Sequence, residues 1–369
     1  MTSANETKYG RLDPMLAAIE ALVRCESPSD DIAACQSVVR LASDIATRVL
    51  GTPAQIKEVE GRPVFWWGAS KPEILLLAHL DTVWPHGSYQ PLWEVNGDVV
   101  RGPGVFDMKA GFVQALFALK DIAGAADRVA LVATTDEEIG SFASRKLIMD
   151  LSSEASAVLV LEASLDGKVK TGRKGTAMYK ISVHGLAAHA GLEPEKGINA
   201  TVEIAHLILQ LAALENKEHG TTVVPTLLKS GNSANTVPDL AVLEIDARSF
   251  AQSELERIDA AIKSLSATLP GARIEVTGGL NRPPLQPSST KALYEKIEVV
   301  AQAIGMAPLG CAEVGGASDG NFAAAAGAQV LDGLGAIGGG AHAPSEWLSL
   351  KSIEERSALL HAFIKDLLK

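Results

Sequence analysis

Through the first 160 residues, short uninterrupted apolar runs alternate with longer stretches in which apolar positions recur every three or four residues. Residues 74–78, Ile-Leu-Leu-Leu-Ala, are apolar at every position. The run is too short to cross a membrane and suits a strand buried on both faces, as in a parallel sheet. Similar runs occupy 129–133 and 157–161. Helical periodicity predicts helices over 14–23, 31–50, 109–118 and 141–150, the second preceded by the turn-prone Ser27-Pro28-Ser29-Asp30. Such alternation predicts an α/β domain, a mostly parallel sheet with helices on both faces.

After Thr171 the pattern changes. A strand is expected at 177–183 and a helix at 198–214, with Ile198, Val202, Ala205 and Leu209 on one stripe. Strands at 222–229 and 242–247, a helix at 252–269 and a strand at 273–277 complete a β-α-β-β-α-β order. That order is the ferredoxin-like α+β signature, a four-stranded antiparallel sheet with two helices on one face. The proline-rich segment 282–287 reads as a hinge. A helix over 289–304, a closely packed alanine-rich helix around 323–326, a strand at 329–331 and a helix over 349–368 then resume the first domain. The expected division is a discontinuous catalytic domain, 1–174 and 289–369, interrupted by an inserted domain, 175–288.

A chain of 369 residues exceeds the usual single domain, in keeping with two. Apolar residues make up 47% and charged ones 21%, which excludes a disordered chain. The 33 Lys and Arg against 44 Asp and Glu leave a formal charge of −11, which repels phosphate backbones and anionic lipid. Neither nucleic acid nor a membrane is therefore an expected partner. Cys25, Cys35 and Cys311 form no Cys-x-x-Cys pair and read as buried small hydrophobes in a reducing compartment. The polar residues 1–11 lack the apolar core of a secretory signal, and no run is long enough to span a bilayer, so a cytoplasmic location is expected.

The chemistry collects at the ends of the buried runs. His79 and Asp81 close the first run two residues apart, so in a strand they point the same way, toward the carboxyl edge where α/β sites form. This pair fits a metal-bound imidazole with a carboxylate on its other nitrogen, and equally a polar strand end in a turn. Asp107 lies in the glycine-punctuated loop 102–111, Glu137 and Glu138 follow the second run, Glu162 ends the third, and His342 follows Gly338-Gly339-Gly340. Two His and three carboxylates suit a pair of borderline-soft divalent ions such as zinc. Adjacent glutamates by themselves usually mark a solvated helix start. The triple glycine lacks the Gly-Lys-Ser/Thr of a phosphate loop and reads as close backbone approach to the metal site.

Taken in this order, the motifs resemble the M20 metallopeptidase family over nearly the whole chain, most closely its glutamate carboxypeptidase (carboxypeptidase G2-like) branch. The resemblance implies two Zn2+ per subunit, with Co2+ or Mn2+ as possible substitutes. It assigns Asp107 as the bridging carboxylate, His79 and Glu162 to one ion, and Glu138 and His342 to the other. Glu137 matches the general base, and Asp81 the catalytic carboxylate beside His79. His189, in His184-Gly-Leu-Ala-Ala-His189, matches a histidine that donates to the developing oxyanion; His184 reads as a strand end. Asn235 and Arg248 match positions that hold the substrate's α-carboxylate, with Arg282 a further candidate and a surface salt bridge the ordinary reading of Arg248. The resemblance also implies a homodimer, joined through the inserted domain, in which His189 serves the partner's metals.

The implied activity is hydrolysis of the amide bond to a carboxyl-terminal amino acid in a small peptide or N-acyl amino acid, most closely that of a glutamate carboxypeptidase. Asp81-Thr82-Val83-Trp84-Pro85 and Asn281-Arg282-Pro283-Pro284 resemble that branch, and Glu162 favours a carboxypeptidase or a deacylase. The alternative is an N-acyl amino acid deacylase of the acetylornithine deacetylase or desuccinylase kind. A non-catalytic binding protein on the same fold would have lost a ligand or the base, and none is missing.

Overall fold

The computed structural model describes residues 11–369; residues 1–10, most of the polar stretch read above for a signal, lie outside them. Helices α1 (Leu12–Arg24) and α2 (Ile32–Leu50) come first, α2 begun by the Asp31 carboxylate accepting from the Ala34 amide and ended at Gly51, φ 73°. Strands β1 (Gln55–Val59) and β2 (Arg62–Gly68), which the periodicity does not anticipate, form an antiparallel hairpin. Then follow β3 (Ile74–His79), α3 (Ala110–Leu119), β4 (Val129–Thr134), α4 (Arg145–Glu154) and β5 (Ala157–Val160). The inserted segment comprises β6 (Gly175–His184), α5 (Ala200–Ala212), β7 (Thr222–Ser230), β8 (Leu240–Ser249), α6 (Gln252–Lys263) and β9 (Arg273–Arg282). The chain returns through α7 (Lys291–Ala303), α8 (Asp319–Ala325), β10 (Val330–Leu331) and α9 (Ser352–Leu367).

By contact density the chain divides into two compact units. One ends at Gly172 and resumes over 286–313 and 318–369; the other holds 173–285 and 314–317. In the first, a six-stranded sheet runs β1-β2-β4-β3-β5-β10, parallel from β4 to β10 with the hairpin antiparallel at one edge. β3 is central and buried at every position, which is why its run is apolar without alternation. Full burial of each such Leu or Ile contributes about 1.5–3 kcal/mol. Helix α3 is buried at all ten positions and so lacks a polar face.

In the second unit the antiparallel order is β7-β8-β6-β9, with α5 and α6 packed on one face around Ile181, Val183, Ile204, Leu207, Ile245 and Ile258. This is the ferredoxin-like arrangement expected. Three details depart from expectation. Helix α5 buries Ile204, Leu207 and Leu211, whereas Val202, Ala205 and Leu209 face outward, Leu209 at 73% exposure. The helix carries two apolar stripes, and periodicity alone does not say which one the sheet covers. Helix α6 stops at Lys263, short of 269. Strand β9 continues past 277 to Arg282 through Gly278 (φ 98°) and Gly279, the former set where a Cβ would collide with the Met178 carbonyl. Glycines that read as a strand end thus permit close pairing instead.

Of the cysteines only Cys35 is buried, and Cys311 is exposed, contrary to the reading of all three as core residues. No helix among the described residues is long and apolar enough to cross a membrane.

Candidate metal centre

The parallel register sets His79 opposite Thr134, so the segments leaving β3, β4 and β5 emerge together at the carboxyl edge of the sheet. His79 is 1% exposed. Its Nδ1 lies 3.1 Å from the Asp81 main-chain oxygen and 3.5 Å from the Asp81 carboxylate. The nearer partner is the carbonyl, where a carboxylate was expected; a proton on Nδ1 satisfies it and turns Nε2 toward the acids. Nε2 stands 3.3 Å from Asp107 Oδ1 and 3.7 Å from Glu162 Oε1.

Asp107 Oδ2 faces the other way, 3.5 Å from His342 Nε2, which is 3.0 Å from Glu138 Oε2. The loop bearing Asp107 passes Gly104, φ 70°, where a Cβ would stand 2.6 Å from Thr82 Cγ2. Buried Lys109 anchors the same loop by donating from Nζ to the carbonyls of Leu22 and Cys25, and burial lowers its amine to about 8. Glu137 and Glu138 form the single turn after β4. That turn is held by the Asp136 carboxylate, which accepts from the amides of Ala143 and Ser144.

His342, itself at φ 60°, hangs between the paired segments Gly338–Gly339 and Trp347–Ser349. The triple glycine serves this pairing rather than approach to the acids, since a Cβ on Gly338 would meet the Trp347 carbonyl and stand 2.9 Å from Phe106.

Two triads result, His79–Asp107–Glu162 and Asp107–Glu138–His342, each with its ligand atoms within 4.8 Å of one another and Asp107 common to both. Tetrahedral ligands about a zinc-sized ion at roughly 2.0–2.2 Å lie roughly 3.3–3.6 Å apart. The separations of 3.0–3.7 Å within the triads fall around that range, so the donor set fits a divalent ion in each triad.

Hydrogen bonds to Asp107 and Glu138 raise His342 to about 10. Burial alone would lower His79, but Asp107 and Asp81 outweigh it and hold the imidazole well above its usual value, with the Glu137 charge contributing. Burial resists ionisation of Asp107 as well, yet the two imidazoles hold it far below the carboxylate range. Burial, with the charge of Asp107, pushes Glu138 up to about 7. These shifts favour the protonated imidazoles, whereas a divalent ion needs its ligand nitrogens without protons. Metal uptake near pH 7 should therefore release protons and weaken as pH falls. Calorimetry in buffers of different ionisation heat measures this, and heats independent of buffer would contradict it.

Asp81 belongs to neither triad. Its Oδ2 accepts from Ser29 Oγ at 2.7 Å and from the Glu138 amide at 3.2 Å, so it ties the His79 strand to the Glu138 turn. Sequence reasoning missed Ser29, Asp136 and Glu346. Glu346 is 1% exposed and accepts from the amides of Gly104, Phe106 and Asp107. The one available signal was its place, four residues after His342 beside an aromatic.

In the second unit, His189 Nδ1 accepts from the amides of Gly191 and Leu192, each at 3.1 Å, which places its proton on Nε2 at an exposed position. Asn235 is beside it: the Ala190 amide donates to the Asn235 carbonyl, and Thr236 bridges to His189. Arg248 instead makes the ordinary ion pair, Nε and Nη2 each 2.8 Å from an Asp246 oxygen, with Nη1 donating to Gly315. Arg248 and Arg282 are both registered opposite Thr176, from either side of β6, whereas the chain leaves for His189 at the far end, His184. At about 3.4 Å per residue that separation is roughly 27 Å. Asn235 and Arg248, read together as holding one carboxylate, are therefore at opposite ends of the sheet within one chain.

The family model described as Peptidase family M20/M25/M40 matches residues 75–366. Carboxypeptidase G2 from Pseudomonas sp. (strain RS-16) is 33% identical over 315 residues, 81% of this chain and 75% of that protein. A succinyl-diaminopimelate desuccinylase from Halorhodospira halophila is 28% identical over 383 residues, covering 94% of this chain and 96% of its own. Among solved structures, an M20 family metallo-carboxypeptidase from Sulfolobus solfataricus shares the fold, with a TM-score of 0.76 at 18% identity over 95% of this chain and 98% of its own.

Proposed function

The chain belongs to peptidase family M20 and is a hydrolase of peptide or amide bonds, and from that premise we propose a dinuclear zinc carboxypeptidase, most closely a glutamate carboxypeptidase. The observation that carries the two-ion reading is Asp107, whose two carboxylate oxygens face two different imidazoles. In this reading His79 and Glu162 hold one ion, Glu138 and His342 the other, and Asp107 both; Co2+ or Mn2+ would substitute. When bound, such a pair supplies Lewis acidity toward the scissile carbonyl and toward the attacking water.

Glu137, adjacent to a ligand but outside both triads, takes the proton of that water and returns it to the leaving nitrogen. Asp81 is a positioning residue that fixes the His79 tautomer and the Glu138 main chain. His189 donates from Nε2 as negative charge develops on the carbonyl oxygen. Arg248, its guanidinium plane set by Asp246, receives the substrate's α-carboxylate.

Two observations support a homodimer built through the inserted unit. Val224, Leu227 and Leu228 are exposed on edge strand β7, and Val202 and Leu209 on α5, an apolar edge and stripe that a twin surface would cover. One substrate also cannot touch His189 and Asn235 together with Arg248 unless two copies contribute.

A second reading, an N-acyl amino acid deacylase, is favoured by the 94% coverage of the desuccinylase match. The test is a panel on metal-loaded protein: acylated and peptidyl glutamates, their carboxyl-terminal amides, N-acetylornithine and N-succinyl-diaminopimelate. Free-acid glutamates should lead. Arg248→Lys should raise KM for them about 10–100-fold, the loss of a charged hydrogen bond of about 1.5–3 kcal/mol, and leave the amides little changed. Amides cleaved as fast as acids by the unaltered enzyme would argue against a carboxypeptidase, and preference for a succinyl or acetyl substrate would favour the deacylase.

A further inference from the structure

We propose that Glu346 is a positioning residue that sets the geometry of both metal triads at once, acting on main chain and not on substrate; the inference rests on the two-ion reading above. Its carboxylate takes four donors, two on each oxygen. Oε1 accepts from the amides of Phe106 (2.9 Å) and Asp107 (3.1 Å), and Oε2 from the Gly104 amide (3.0 Å) and Trp84 Nε1 (3.2 Å). Three converging amides make the segment 104–107 an anion-binding nest, and the anion in it is a side chain of this protein.

What Glu346 joins gives the arrangement its consequence. The amide of Asp107 is one of its donors, so the position of the shared carboxylate is referred directly to Glu346. His342 lies in the same turn, whose shape is held by hydrogen bonds of 2.9 Å from Ala343 N to the Gly340 carbonyl and from Glu346 N to the Ala343 carbonyl. Trp84 follows three residues after Asp81 and stacks edge-on against Tyr89, whose hydroxyl donates to the Glu346 main chain. Ligand-bearing segments far apart in sequence thus meet on one buried side chain. Loss of His342 or Glu162 would strip one triad, whereas loss of Glu346 shifts the residue the two triads share.

A carboxylate is required because all four partners donate. Glutamine has the same shape but would turn an NH2 group toward two of them. Partners one step removed from the metal are worth roughly 10–100-fold in metal affinity. The experiment loads Co2+ into unaltered protein, Glu346→Gln, Glu346→Asp and His342→Ala, measuring affinity by competition with a chromophoric chelator together with the visible spectrum of the bound cobalt. Circular dichroism establishes that each chain is folded.

Glu346→Gln should bind both ions about 10–100-fold more weakly with a changed cobalt spectrum, Glu346→Asp should fall between it and the unaltered protein, and His342→Ala should weaken one ion only. If Glu346→Gln does not fold, the same comparison is made on Glu346→Asp. A folded Glu346 variant that takes up two Co2+ with unaltered affinity and spectrum would overturn the proposal. Fewer than two ions in the unaltered protein would instead overturn the two-ion reading on which it stands.

Discussion

Glu137→Gln should lose roughly 10²–10⁴-fold in turnover while keeping its full content of divalent ion, because general acid–base catalysis contributes about that much. The turn Glu137–Ile139 presents two acids in succession, and they have different neighbours. Glu138 Oε2 is 3.0 Å from His342 and belongs to a triad; Glu137 belongs to none, though its charge reaches His79. Glutamine preserves the volume of this 8% exposed side chain, so the surrounding packing stays as it is and only the capacity to carry a proton is lost. Glu138→Ala should show the opposite signature, lowered metal occupancy with activity falling in proportion. Metal analysis by atomic emission, paired with kcat on the best substrate of the panel, separates the two roles. Equal loss of metal from both variants would refute the division.

His189→Ala should reduce kcat by about 10²–10³, the usual cost of removing one oxyanion donor, and the defect should be repairable by another chain. The backbone amides of Gly191 and Leu192 donate to Nδ1, so the N–H that remains to donate is on Nε2. His189 and Asn235 lie at one end of the inserted sheet and Arg248 at the other, so under the proposed roles the substrate contacts would draw on two copies. Inactive Glu137→Ala mixed with inactive His189→Ala, after subunit exchange, should therefore regain activity. In a mixed dimer one site carries both defects and the other is intact, so the expected rate approaches half that of the unaltered dimer. Mixed dimers that form yet stay inactive would show that His189 acts within its own chain or not at all.

The sequence by itself determined most of the elements, though not the β1–β2 hairpin or where α6 and β9 end, and the types of residue at the ends of the buried runs. Residues 74–78 read as a doubly buried strand because a strand covered on both faces has no polar side to alternate with, and the ligand-type residues at 79, 107, 138, 162 and 342 stood out because each interrupts such a run or a glycine turn. These are local signals, carried by neighbours a few positions apart. What tertiary structure decided were the partners each group meets: which face of α5 the sheet covers and that Asn235 belongs with His189 across a long separation, and, even two residues apart, that Asp246 holds Arg248 and that the Asp81 carbonyl lies nearer His79 Nδ1 than its carboxylate does. Glu346 is the plainest case. Its partner Gly104 is 242 positions away, and no periodicity or composition distinguishes it from other glutamates until folding brings the loop 104–107 and its three amides to its carboxylate. Periodicity reports whether a side chain is to be buried; which groups it meets there depends on how distant segments pack, and that is settled only when the whole chain has folded.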